Sequence, residues 1–117
     1  MSLRRIEPGK RMSQAVVHGA TVYLAGQVAD KAAGGPVADQ MHEILSAIDR
    51  LLVEAGSNKR KLQSATVYLA DIRGFADMNA AWDAWVAPGH TPARATVEAK
   101  LAGPQYLVEI ACVAACG

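Results

Sequence analysis

The chain of 117 residues is poor in aromatic side chains, with one Phe, two Trp and three Tyr. Aromatic side chains bury the most area each, so the core has to come from Ala, Val, Leu and Ile in thin, closely packed elements. Charge of one sign is also missing. Twelve Lys and Arg against 11 Asp and Glu leave a net charge of +1, too little field to recommend nucleic acid or an anionic membrane as a partner. There are only two cysteines, Cys112 and Cys116. In an extended segment they lie roughly 13 Å apart, beyond the reach of a disulfide. His18, His42 and His90 have no zinc-ligand spacing with Cys or acids, so no metal is expected. No apolar run is long enough to cross a bilayer, and no secretion signal is visible; the expectation is a soluble, cytoplasmic protein. Without repeats, low-complexity tracts or linkers, residues 1–117 read as a single domain. A chain of this size can bury about two-thirds of its unfolded surface.

The most informative stretch runs from His90 to Leu101. Pro92 stands at the entrance of a strand, where its missing N–H does least harm. Ala93, Ala95, Val97, Ala99 and Leu101 then alternate with Arg94, Thr96, Glu98 and Lys100, the period of a strand with one apolar side. Arg94 projects from a stiff element just after a rigid turn. Such a guanidinium is either a solvated strand arginine or a two-pronged donor for a carboxylate or phosphate.

The rest of the chain reads in order. Residues 3–7 form a short edge strand, and 13–18 with 21–28 form a hairpin turned at Gly19-Ala20. Gly26 inside the second arm marks a bulge, a simple kink or a place where a ligand approaches the backbone. Val37, Met41, Ile44, Leu45, Ile48, Leu51, Leu52 and Ala55 lie at helical spacing and Gly56 stops the helix. Asp39, Gln40, Glu43 and Asp49 fall mostly on its polar side. Residues 57–61 are a polar turn, 62–71 a strand apolar on both sides, and 71–75 a loop. Phe75, Met78, Asn79, Trp82, Trp85 and Val86 share one face of a second helix ended by Pro88-Gly89. There the two Trp read as core, and Asn79 as a polar group holding a neighbouring backbone. The last strand, 106–116, is apolar on both sides except for Glu109. An acid in such a run needs an ion pair, hydrogen bonds or water, so Glu109 is either a structural ion-pair partner or a site acid.

The order β-β-β-α-β-α-β-β gives a six-stranded sheet with two helices on one face. The uncovered face would be a large apolar patch. Other subunits are expected to cover it, with ligand clefts between them. If the last two strands were neighbours with Leu101 opposite Tyr106, Arg94 would lie roughly 13 Å along the strand from the residue facing Glu109. An intrachain pair would be poor in that register, though the two could still meet across a subunit boundary.

Thr91-Pro92-Ala93-Arg94 followed by Val97, and then Val108-Glu109-Ile110, resembles the Rid family of reactive-intermediate (imine) deaminases, formerly labelled L-PSP endoribonucleases or translation inhibitors. Ser13-Gln14-Ala15-Val16, Ala25-Gly26-Gln27, 67–71 and 75–79 extend the resemblance over nearly the whole chain, and residues 79–94 resemble a short-loop, YoaB-like branch. The resemblance implies an α+β, chorismate-mutase-like fold and a homotrimer with three clefts between subunits. It implies a cofactor-free 2-iminobutanoate/2-iminopropanoate deaminase-type hydrolase, which converts enamines and imines such as 2-aminoacrylate to 2-oxo acids and ammonia. Arg94 would grip the substrate carboxylate and Glu109 would hold the attacking water, with the backbone N–H of Gly26 and the carbonyl of Thr96 assisting. Ala25 and Met12 would line the cleft. Three positions depart from the family pattern: Met12 stands where the best-known deaminases carry Tyr, Ala25 where they carry Ser, and Thr96 where they carry Cys. Binding of small carboxylates through Arg94 without turnover is the second reading. RNA cleavage, from the older label, is disfavoured by the near-neutral charge.

Overall fold

In the computed structural model, which describes residues 2–117, the elements are β1 (Leu3–Pro8), β2 (Ser13–His18), β3 (Thr21–Gln27), α1 (Val37–Glu54), β4 (Leu62–Leu69), α2 (Phe75–Trp85), β5 (Ala93–Glu98) and β6 (Val108–Ala115). Single 3-10 turns precede β4 and α2; the second lies in the stretch expected to be a plain loop. The strands form one sheet in the order β1-β2-β3-β6-β4-β5. Every neighbouring pair is antiparallel except β4 and β5. The sheet is therefore mixed, and the fold is α+β with two helices on one face.

Periodicity explains α1. Met41, Ile44, Ile48, Leu51 and Leu52 have no solvent exposure, because their spacing keeps them on one stripe. Gly56 at φ +80° ends the helix. Its N–H donates to Val53 O, and the N–H of Ser57 donates to Leu52 O, the two bonds of a Schellman cap. The core lies between the helices and alternate residues of the sheet: Val22 and Leu24 of β3, Ala65, Val67 and Leu69 of β4, and Val108, Ile110, Cys112 and Ala114 of β6. Cys112 and Cys116 are both free and buried, as their spacing requires.

Several expectations are corrected. Gln40 belongs to the core, not the polar side of α1: it is fully buried. Its amide donates to Gly35 O and Gln105 O and accepts from the N–H of Leu107. This side chain engages the backbone just before β6, so that strand begins at Val108 instead of Tyr106. β5 likewise stops at Glu98, and Ala99 and Leu101 belong to the following loop. At the start of α2, Phe75 is 42% exposed, and Ala81 takes a core position instead. Asn79 is half-buried and, among the described residues, has no side-chain hydrogen bond, so it does not hold a neighbouring backbone. That task falls to Glu43, whose carboxylate accepts the N–H groups of Asp30, Lys31 and Ala32. The last two strands are not neighbours, because β4 runs between them.

The second face of the sheet carries no helix. Val16, Tyr23, Tyr68, Ala93, Ala95, Val97, Glu109 and Val113 alternate with the core residues and so point to this open side. Tyr23 is 51% and Val97 42% exposed. β5 is inverted relative to a usual edge strand: its apolar row faces the open side, while Arg94, Thr96 and Glu98 lie on the helix side.

Candidate functional site

Arg94 sits on the edge strand β5, opposite Ala65 of β4. Ala65 is a core residue, so Arg94 also points to the helix side. Its guanidinium carbon lies 5.2 Å from the ring centroid of Trp82, and Nη1 is 3.8 Å from Met78 Sδ. Both supports come from the buried face of α2, where Met78 and Trp82 are one turn apart. Among the described residues no carboxylate pairs with Arg94. A guanidinium has five N–H donors. Here an aromatic ring and a thioether lie against it, and neither neutralises its charge.

Glu109 sits on β6 opposite Tyr68 of β4, and Tyr68 is opposite Val97 of β5. Its neighbours Val108 and Ile110 are fully buried in the core, so the alternation sends Glu109 to the open face. The ladder between β3 and β6 shifts register between Leu24 and Gln27. The bulge offered by the sequence is therefore present at Gly26, and the group that approaches the backbone there is the Glu109 carboxylate of the same chain. A Cβ at Gly26 would fall 2.1 Å from Glu109 Oε2 and 2.8 Å from its Cδ. Only glycine leaves the carboxylate room to lie there. Among the described residues Glu109 has neither a cation nor a hydrogen-bond donor on its side chain, which rules out the intrachain ion pair.

The residues expected in one cleft fall into three groups. Ala25, Gly26 and Glu109 share the centre of the sheet. Arg94 and Thr96 share the helix side of β5, where the Thr96 hydroxyl is buried without a hydrogen-bond partner. Met12, 49% exposed, lies in the β1–β2 turn at the opposite edge. Arg94 and Glu109 are two strands apart and offset by three residues, about 14 Å between Cα atoms by strand geometry, and on opposite faces. One chain cannot bring them to the same small ligand.

The sequence reading missed the seat of Arg94, because Met78, Trp82 and Trp85 carry the signature of a helix core. Their i, i+3 and i+4 spacing was a signal only in combination with a strand arginine. Trp85 extends the seat. Its ring centroid is 5.4 Å from that of Trp82, its Nε1–H donates to Asp49 Oδ2 at 3.0 Å, and Lys59 Nζ lies 5.4 Å from its centroid. Cys112 is no nucleophile: burial pushes its thiol up to about 12, so it stays protonated at neutral pH. A cavity of about 290 Å3 beyond the end of β4, lined by Ala70, Lys100, Leu101 and Tyr106 among others, includes neither Arg94 nor Glu109. Among the described residues no helix is long and apolar enough to cross a membrane.

Comparison with known proteins agrees with this fold. The endoribonuclease L-PSP family model matches residues 2–116. A RutC family protein of Haemophilus influenzae is 43% identical over 99% of this chain and its own full length. The RutC family protein YoaB of Escherichia coli is 44% identical, covering 98% of this chain and 99% of its own. Among solved structures, NMB1025 of Neisseria meningitidis, a member of the YjgF protein family, has a TM-score of 0.96 at 42% identity, covering all of this chain and 97% of the other. Yeast Mmf1, at 21% identity and a TM-score of 0.90, shares the fold. The chain belongs to the endoribonuclease L-PSP family, the group whose members here also carry the names RutC and YjgF.

Proposed function

We propose that the protein hydrolyses reactive enamines and imines that carry a carboxylate, such as 2-aminoacrylate, to 2-oxo acids and ammonia, in clefts between copies of the chain assembled as a homotrimer. The observation that carries this reading is a pair of opposite charges, each held in a built seat and each without an ionic partner, on faces that only separate copies can bring together. The apolar open face supports the assembly, since patches of this kind are seldom left in water. The trimer and the choice of substrate follow the family resemblance.

In this reading the Arg94 fork binds the substrate carboxylate and sets the position of C2. Glu109 of another copy accepts a proton from water as the oxygen adds to C2, and the C=N electron pair moves onto nitrogen. Glu109 returns that proton to nitrogen, giving the carbinolamine. The hydroxyl proton then passes through Glu109 to the amine as the C=O forms and the C–N bond breaks, so ammonia leaves with a 2-oxo acid. An enamine such as 2-aminoacrylate enters this sequence as its imine tautomer, a proton having moved from nitrogen to C3 through solvent. The backbone N–H of Gly26, the carbonyl of Thr96, Ala25 and Met12 complete the wall. The imine carbon is already electrophilic, so no cofactor takes part in these steps. Proton transfer of this kind contributes about 10²–10⁴-fold.

One observation favours a second reading, binding of small carboxylates without turnover. Neither Met12 nor Ala25 offers a hydroxyl, which leaves Glu109 to handle protons with little side-chain help. The test is the release of ammonia and 2-oxo acid from 2-aminoacrylate and 2-iminobutanoate generated in situ. Release above the buffer rate that scales with protein and disappears in Glu109→Gln supports hydrolysis. Saturable pyruvate binding lost in Arg94→Ala, with no release above buffer for either imine, selects the binding reading.

A further inference from the structure

We infer that Trp82 is a positioning residue for Arg94, setting the plane of the guanidinium so that its free edge is presented to a carboxylate; this role rests on the carboxylate-binding reading of Arg94 above. Arginine is a long, flexible side chain, and holding it for a ligand requires a support that does not occupy the donors the ligand needs. A neighbouring Asp or Glu would fix the plane but occupy the fork. Trp82 fixes it through the ring face, at 5.2 Å from the guanidinium carbon, where the ring quadrupole attracts the cation without taking an N–H. Met78 Sδ, 3.8 Å from Nη1, is a weak acceptor at one corner. The ring itself is rigid: Trp82 is 5% exposed and packs on Trp85, which is tied to Asp49 by a 3.0 Å hydrogen bond. The support therefore continues through α2 to α1. In a chain otherwise poor in aromatics, one tryptophan stands next to this arginine and the other packs on the first, although smaller apolar side chains would also fill a core.

The test is a double-mutant cycle on pyruvate affinity in the full-length protein. Trp82→Leu is expected to weaken binding about tenfold, and Trp82→Phe, which keeps a ring face, several-fold less. In an Arg94→Lys background the same Trp82→Leu change is expected to cost less than twofold, because an ammonium has no plane to orient. Equal losses in both backgrounds mean that Trp82 only supports the fold, and they overturn this role while leaving carboxylate binding in place. Absence of any pyruvate binding by the unmodified protein overturns carboxylate binding and this role together. Should Trp82→Leu fail to fold, pyruvate titration of the natural tryptophan emission decides. A saturable change that is absent in Arg94→Lys at saturating pyruvate supports the role, and an emission unchanged on binding overturns it.

Discussion

The two faces of the sheet follow different rules. On the helix side the buried polar groups are mostly matched. Gln40 is paired three ways with backbone, and Ser57 donates to Ala115 O. On the open side an apolar row, Tyr23, Val97 and Val113 among them, surrounds an acid with no partner among the described residues. A closed core satisfies its polar groups because leaving them unpaired is costly. In the proposed assembly the open face is completed by another copy, and Glu109 marks where. Arg94 breaks the pattern on the helix side: it packs on Trp82 and Met78, yet among the described residues no carboxylate pairs with it, which is why the proposed function gives it the substrate carboxylate.

The comparison can be broken most severely on the open face. Val97→Asp puts a second carboxylate across from Tyr68 in the apolar row, and is expected to dissociate the assembly and abolish activity while leaving the monomer folded. Sedimentation velocity checks this, and an unchanged oligomer would mean that the face is not the interface. Next come the two charges. Glu109→Gln should lower kcat about a thousandfold with little change in pyruvate affinity, whereas Arg94→Ala should weaken pyruvate binding about a hundredfold. Steady-state kinetics and calorimetry separate the two effects. Gly26→Ala sharpens the open-face account. The new Cβ displaces the Glu109 carboxylate, so kcat should fall roughly tenfold, with a smaller effect on KM and on thermal stability.

The smallest effect belongs to the matched side. Backbone N–H groups of Ala32, Lys31 and Asp30 hold the Glu43 carboxyl below its ordinary value of 4.5. A carboxyl depressed in the folded state contributes stability above its unfolded value, and that contribution is lost as pH falls from about there through the lower folded value. Melting temperature should therefore drop more steeply below pH 4.5 in the natural protein than in Glu43→Gln. Parallel pH–melting curves for the two would remove this role from Glu43.

Much of this was legible in the residues themselves. Alternation and the apolar stripe of α1 give the order of elements, and two helices over six strands give the uncovered face. Glu109 and Gly26 each stood out as an interruption in an otherwise regular strand, and they prove to be in contact. The pairing order was not legible, because nothing local in β5 and β6 says that β4 lies between them. Gln40 was misread because its polar side chain disguises a core position, which only the distant carbonyl of Gln105 and amide of Leu107 justify. Phe75 shows the converse: an apolar residue in the first turn of a helix fits the stripe and still stays 42% exposed. The seat under Arg94 was hidden because each of its tryptophans already has a sufficient reason to be in a core.

Mixing two inactive variants tests most directly whether the site is shared between copies. Arg94→Ala and Glu109→Gln chains, co-expressed or refolded together, form hybrids in which some clefts take the intact Arg94 from one chain and the intact Glu109 from another. With random assembly roughly a quarter of clefts are complete in a symmetric oligomer, and the deaminase rate should recover to about that fraction of the unmodified protein. Recovery no greater than the sum of the two separate variants, in oligomers verified as mixed by mass spectrometry, would contradict a site built from two chains.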